Sequence, residues 1–264
     1  MSSIFSNSTI GPNFEKQLNK EIEGEVLFDN FSRGQYATDA SIYQMIPIGV
    51  VVPKNKSDVE RVISLGRKEG ISLLARGGGT SQSGQTVNNS LVLDNSKFLN
   101  KIIKIDVKNR SCIVEPGIVL DELNRILKPH GLWFPVDIST SSRATIGGMA
   151  ANNSCGGRSI RYGTMRDNVI SIEGFMSDGS YSHFGVIKDP KISNLSKKLK
   201  LIGKRDALEI EHRFPKLIRR VGGYNIDALI PKIEPHNLSH LLVGSEGTLV
   251  YSSKIELKLS PLIT

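Results

Sequence analysis

ISLLARGGGTSQSGQTVNNSLVLD (71–94) decides how this chain folds. The apolar run ISLLA has the length and bulk of a buried strand, and SLVLD at the far end has the same character. Between them, RGGGTSQSGQ (76–85) packs four glycines, three hydroxyls, two amides and one arginine into ten residues. A loop so poor in side chains exposes backbone N–H groups without a Cβ in the way. That arrangement suits an anion, most often a phosphate or pyrophosphate.

Outward from this loop the pattern stays regular. PIGVVVP (47–53) is a short apolar run bracketed by prolines and predicts a buried strand. SDVERVISLGRKEG (57–70) predicts a helix opened by a Ser57–Glu60 capping box and closed at Gly70. The first lobe therefore reads β-α-β-loop-β. From residue 102 the pattern turns to alternation. IIKIDVKNRSCIVEPG (102–117) predicts a hairpin turning at 108–110, VLDELNRILKPHG (119–131) an amphipathic helix, and NVISIEGFMSDGSYSHFG (168–185) a second hairpin at Asp178–Gly179. Residues 192–222 read largely as helix. HLLVGSEGTLVYSSKIELKLSP reads as strand, tight turn and alternating strand. The expected organisation is α+β: an N-terminal arm over 1–44 with one short helix, a first lobe over 45–100 and a second over 101–264.

Composition narrows the function classes. In 264 residues, 39% hydrophobic and 23% charged content is ordinary for a globular protein that buries a core. No stretch approaches the ~20 apolar residues of a membrane helix, and the N-terminus lacks the basic start and apolar core of a secretory signal. The expected compartment is the cytoplasm, with a peripheral place at the inner membrane face left open. Cys112 and Cys155 are too few for a disulfide framework or a four-thiolate cluster. The net charge of +8 is spread along the chain without aromatic interleaving, which argues against nucleic acid.

The glycine loop fits no single phosphate motif. Gly79-TSQS-Gly84 has Walker A spacing, but Gln85 stands where the lysine is needed. A dinucleotide fingerprint would open a helix, whereas here a β-like segment follows. No serine has the glycine flanks of a nucleophile elbow. Other small-residue places answer the loop instead: EPG (115–117), PVD (135–137), RATIGGMAANNSCGGRSIRYGTMRDN (143–168) and VGSEGTL (243–249). Small residues at five separated places suit one long ligand, and a dinucleotide with a central pyrophosphate meets that demand.

RGGGTSQSG, EPG, PVDISTSSRATIGGMAANNSCGGRSIRYG and VGSEGTL, in this order, resemble the FAD-binding domain of the vanillyl-alcohol-oxidase/PCMH superfamily over about residues 45–260. Within it, the chain is most similar to FAD-linked 2-hydroxyacid dehydrogenases of the D-lactate, glycolate and D-2-hydroxyglutarate type. FPKLIRRVGGYNIDALI (214–230) looks like the long bacterial members that carry an iron–sulfur module. The resemblance implies a PCMH-type fold of two α/β lobes with FAD between them. It implies that Arg76, Gly77, Gly78, Gly79, Thr80, Ser81, Gln82, Ser83 and Gly84 form the pyrophosphate loop, with Ser81 and Ser83 as hydroxyl donors. Pro116 and Gly117 would line the adenosine side, and Pro135 and Asp137 would lie near the flavin. Thr145, Gly147 and Gly148 would give a second pyrophosphate and ribityl contact. Asn152, Gly156, Gly157, Tyr162 and Gly163 would approach the flavin. Gly244, Glu246, Gly247 and Leu249 would close over the adenine end or the ribityl chain.

Some relatives tie the flavin covalently to a histidine at position 80. Thr80 cannot form that bond, so FAD is expected to be non-covalent. Hydride would pass from the α-carbon of a small 2-hydroxy acid to flavin N5, and electrons onward to a quinone, cytochrome or iron–sulfur partner. No catalytic base is evident. The resemblance places the substrate-binding cap, with its histidine metal site, beyond Thr264. The chain is thus expected to hold the cofactor half, completed by a cap and an iron–sulfur domain or subunit. His236 and His240 have i,i+4 spacing and read as structural rather than as metal ligands. Arg219 and Arg220 could reach a substrate carboxylate or FAD phosphate, or be solvated. Trp133 reads as core, and Cys155 as chosen for volume. Two other readings stay open: a UDP-N-acetylenolpyruvoylglucosamine reductase-like flavoenzyme, and a non-catalytic FAD-binding module.

Overall fold

The computed structural model describes residues 12–187, 193–217 and 219–262. Part of the expected arm, and Ile192 and Ile218 of the expected helix, lie outside them. The chain divides into two compact units, Met1–Leu99 and Asn100–Thr264.

The first unit runs α1 (Pro12–Glu21), β1 (Glu25–Leu27), α2 (Asn30–Gln35), β2 (Gly49–Val52), α3 (Lys56–Glu69), β3 (Leu73–Arg76) and β4 (Leu91–Asp94). Its sheet has the order β1-β2-β4-β3. β2, β4 and β3 are parallel, and β1 closes the edge antiparallel, with Val26 opposite Val51. β2 and β4 are buried along their whole length, which is why both read as unbroken apolar runs. Val50, Val52 and Val92 pack on one face with Leu27, Tyr36, Leu74 and Phe98. The segment expected as an arm with one short helix supplies two helices and the edge strand. Its strand is only three residues long, below what sequence periodicity resolves.

Helix α3 starts earlier than expected. Its cap is Asn55, whose side chain accepts from the Asp58 amide at 2.9 Å, and no Ser57–Glu60 box forms. The Asp58 carboxylate, 2% exposed, accepts from the Lys54 amide at 2.8 Å and the Glu23 amide at 3.0 Å. It therefore pins the turn before β1 onto the helix start. Gly70 ends the helix in the left-handed conformation, as expected.

The second unit runs β5 (Ile102–Asp106), β6 (Ser111–Val114), α4 (Leu120–Leu127), β7 (Leu132–Trp133), α5 (Ile146–Asn152), α6 (Ser159–Tyr162), α7 (Met165–Asn168), β8 (Val169–Met176), β9 (Tyr181–Phe184), α8 (Asn194–Arg205), α9 (Ala207–Arg213), α10 (Ser239–Leu242), β10 (Val250–Lys258) and β11 (Ser260–Pro261). Its main sheet is antiparallel, in the order β5-β6-β10-β8-β9. The core joins Val114, Ile172, Ile255 and Leu257 of the sheet to Leu123 and Leu127 of α4 and Ile146 and Met149 of α5. Both expected hairpins are present.

Two expectations for this unit fail. The helix over 192–222 ends at Arg213, because Phe214 turns extended ahead of Pro215. The segment before VGSEGTL is the short helix α10 rather than a strand. Its apolar pair Leu241–Leu242 is too short to tell the two apart by period.

Candidate functional site

In the first unit, the 76–85 loop is held from below by a strap over residues 36–46. Arg76 ends β3, and its guanidinium donates to the carbonyls of Tyr36 (2.9 Å), Thr38 (2.7 Å) and Thr86 (3.3 Å). The Ala40 amide donates to Gly79 O at 3.1 Å, and the Thr86 hydroxyl donates to Asp39 at 2.7 Å. Burial pulls the Asp39 carboxyl up. Hydrogen bonds from Ser41 and Thr86, and then the Arg76 charge, outweigh it and hold the group below its ordinary value. Tyr36 donates to Asp94 at 2.6 Å, and burial followed by that carboxylate raises its phenol.

Within the loop, the Ser81 hydroxyl donates to Gln85 Oε1 and accepts from the Ser83 amide. Its proton organises the loop itself. Gly77, Thr80 and Gly84 are half-buried, whereas Gly78, Gln82 and Ser83 are exposed. Gly84 takes φ +77°, and a Cβ there would meet the Tyr43 ring at 2.4 Å. The strap residues Tyr36, Thr38, Asp39 and Tyr43 carry no motif. Only their contacts, about 40 residues away in sequence, give them a role.

In the second unit, two expected places, the Pro116–Gly117 turn and the 244–249 turn, meet on α5, which carries a third. Thr145 caps the helix, accepting from the Gly148 amide at 3.3 Å. The Gly147 amide donates to Pro116 O at 2.8 Å, so the buried Pro116–Gly117 turn lies against the helix start. At the other end, Gly244 and Glu246 donate to Ala150 O (2.9 Å) and Ala151 O (3.1 Å). This docks the 244–249 turn on the last residues of α5, beside Asn152. Glu246, Gly247 and Leu249 face solvent. Asp137, which follows the buried Pro135, accepts from the Arg158 amide at 3.0 Å and so fixes the Gly156–Gly157 turn. Tyr162 packs edge-on against Trp133, ring centroids 5.4 Å apart, and Gly163 closes α6 behind it. Trp133 is half-buried; its indole N–H donates to Pro261 O, and Arg158 lies 4.9 Å over its ring. Cys155 has a partner beyond its volume: the Arg219 guanidinium donates to its sulfur at 2.7 Å.

The glycines of this region divide into two kinds. A Cβ on Gly156 would lie 1.9 Å from Asp137 O, and one on Gly147 2.7 Å from Pro116 Cβ. These positions are glycine because the chain packs on itself. A Cβ on Gly157 would meet nothing closer than Asp137 Oδ2 at 3.9 Å, one on Gly148 only Thr145 Oγ1 at 3.3 Å, and one on Gly247 nothing. Chain packing leaves Gly157 and Gly247 open, as a surface that a ligand approaches closely must be, whereas the contact at Gly148 is already tight and φ +74° by itself favours glycine at 247. The space at Gly157 and Gly247 would let a flavin dinucleotide lie against the main chain of this unit.

Behind the 244–249 turn lies a charged cluster. Arg166 donates to both oxygens of Asp227 (3.1 and 2.9 Å), and Arg220 reaches the same carboxylate at 2.7 Å. Burial raises the Asp227 carboxyl, but bonds from Arg220 and Arg166 outweigh it, and the group stays charged well below its ordinary value. Burial, then Arg166, lowers His240. His236 is buried, its Nε2 3.1 Å from Ile230 O, and among the described residues no cluster could hold a metal ion.

Comparison with known proteins gives this arrangement a context. Residues 47–185 match the family model described as FAD binding domain. The chain is 35% identical to D-2-hydroxyglutarate dehydrogenase of Pseudomonas putida, over 97% of this chain and 27% of that protein. It is 31% identical to D-lactate dehydrogenase of Archaeoglobus fulgidus (80% and 38%), and 29% identical to the glycolate oxidase subunit GlcD of Bacillus subtilis (91% and 43%). It thus spans about a quarter of the length of the Pseudomonas putida relative. Alkyldihydroxyacetonephosphate synthase shares the fold, with a TM-score of 0.69 at 19% identity over 95% of this chain and 40% of that one.

Proposed function

Because this chain belongs to the family of FAD binding domains, we propose that it is the cofactor-binding part of a dehydrogenase that oxidises a small 2-hydroxy acid of the D-lactate, glycolate or D-2-hydroxyglutarate type. The observation that carries this reading is the likeness to such dehydrogenases across nearly the whole chain, together with the open glycines of the second unit.

In the first unit, the main-chain amides of 76–84, braced by Arg76, bind phosphate oxygens. In the second, Thr145, Gly147 and Gly148 form a second contact with the pyrophosphate and ribityl chain at the start of α5, and Pro116 and Gly117 line the adenosine part. Asp137, Asn152, Gly156, Gly157, Tyr162 and Gly163 orient the ring system, and Gly244, Glu246, Gly247 and Leu249 close over the remainder. FAD, when bound, supplies the hydride acceptor at N5. Thr80 leaves it non-covalent, and its electrons pass to a quinone, cytochrome or iron–sulfur partner.

The test has two stages. Titration with FAD, followed by flavin fluorescence, measures binding, and acid precipitation should release all the flavin into the supernatant. D-lactate, glycolate and D-2-hydroxyglutarate are then added to the loaded protein reconstituted with the remaining length of a D-2-hydroxyglutarate dehydrogenase. Bleaching of the yellow band by one of the three is the expected result. Bleaching by NADPH and by none of the acids would refute the substrate class.

A further inference from the structure

Asn225 is 3% exposed and makes three directed contacts in the second unit. Its Nδ2 donates to Val243 O at 2.7 Å. Its Oδ1 accepts from Arg166 at 3.3 Å and from Arg220 at 3.4 Å. Two guanidinium groups have no acceptor, so only the oxygen of the amide can face them, and the NH2 must face Val243. The same two arginines share Asp227, and all three side chains of that ion cluster are about four-fifths buried (17%, 20% and 22% exposed). Arg220 is also stacked over Phe214, 4.5 Å from its centroid. The arginines therefore hold still, and the amide is aimed by them.

Val243 is the last residue before the turn at Gly244. Next to it, Asn153 ends α5 at φ +50°, with its Oδ1 accepting from the Arg166 amide and its Nδ2 donating to Arg220 O. One cluster thus reaches both sides of the contact: α5 through Asn153, and the turn through Asn225 and Val243.

We propose that Asn225 is the positioning residue of the 244–249 turn: aimed by Arg166 and Arg220, it holds Val243 so that the turn docks on the end of α5 in the form that receives FAD. This rests on the reading of that turn as an FAD contact. The residue touches no cofactor atom; it acts through Val243.

Asn225→Asp separates the parts. The arginines keep an acceptor, but the donor to Val243 O is gone. Amide hydrogen exchange should rise about tenfold at Gly244 and Glu246, the cost of one buried hydrogen bond, while Ile255 and Leu257 of β10 hold their rates. FAD affinity should fall by about the same factor. Exchange at Gly244 and Glu246 within twofold of wild type, or a rise spread evenly over the unit, overturns the proposal. Faster local exchange with unchanged FAD affinity leaves the latch in place and refutes the turn as an FAD contact. Wild-type protein gives a second measurement that no folding failure can spoil. The Ala228 amide donates to Asn225 O at 3.0 Å, so in mild denaturant Gly244, Glu246 and Ala228 should open together. Separate openings contradict a shared latch.

Discussion

At the scale of single residues, glycine identity has two different causes. Gly156 and Gly147 are fixed by the chain's own packing. Gly156→Ala should cost several kcal/mol, because a Cβ 1.9 Å from a carbonyl oxygen forces the Asp137 turn to move. Gly157→Ala meets no such contact, so its melting temperature should match wild type within about a degree, the usual result for a substitution clear of packing. Its FAD affinity should nevertheless fall at least tenfold if the ligand lies against that position. Thermal melts and FAD titration of the two variants decide this. The cysteines give a second contrast. Burial, then Glu256, pushes the Cys112 thiol up to about 12, whereas Cys155 is half-buried beside Arg219. Ellman's reagent should modify one thiol in the folded protein, Cys155→Ser should abolish that reaction, and FAD should slow it.

Elements show what the sequence could and could not reveal. β2 and β4 were legible because burial on both faces writes an unbroken apolar run, and β3 because the apolar ISLLA stands directly before the glycines, although that strand is only partly buried. The two hairpins were legible from alternation and an Asp–Gly turn. The cap of α3 was misplaced, because a Ser-x-x-Glu pattern stands two residues after the asparagine that holds the first turn. No local signal tells them apart, since the choice depends on Asp58 being drawn to the Glu23 and Lys54 amides. Among the expected site residues, those on α5 and its neighbouring turns do converge in the second unit. The 36–46 strap stayed invisible, because its ties to Arg76 and Thr86 span about 40 residues and have no spacing rule. From these bonds, Asp58→Ala should destabilise the protein by about 2 kcal/mol, since two partly buried amides lose their charged acceptor. Asp58→Asn, which keeps one acceptor oxygen, should lose about half of that in urea unfolding. Equal losses for the two would show that the oxygen kept by asparagine carries none of the effect.

For the whole molecule, acid is the informative variable. His240 titrates below its ordinary value of 6.5 in the folded chain, so the folded state binds fewer protons than the unfolded one as pH falls past that value. Stability is therefore full above neutrality and begins to fall on that descent. Asp227 and Asp39 are also depressed, from an ordinary value of 3.8. Their contribution is present above that value and is lost as pH drops through their lower folded values. Melting temperature against pH should stay level from 8 to about 7 and then decline in two stages, one set by the imidazole and a lower one by the carboxylates. His240→Asn should remove the upper stage alone. Ligand works in the opposite direction: at a hundredfold excess over its dissociation constant, FAD should add about 2.7 kcal/mol to the fold.

Strand β1 completes the sheet of the first unit before the glycine motifs begin. The ring of Phe28 covers Gly49, and the backbone of 25–27 occupies the outer side of β2. Recognisable motifs start only near residue 47, which invites an expression boundary there. Such a trimmed protein would bare three consecutive valines along an open β-margin and lose the clasp around the glycine loop in the same cut. It should enter inclusion bodies and take up no flavin, whereas the whole chain should remain in the supernatant and turn yellow.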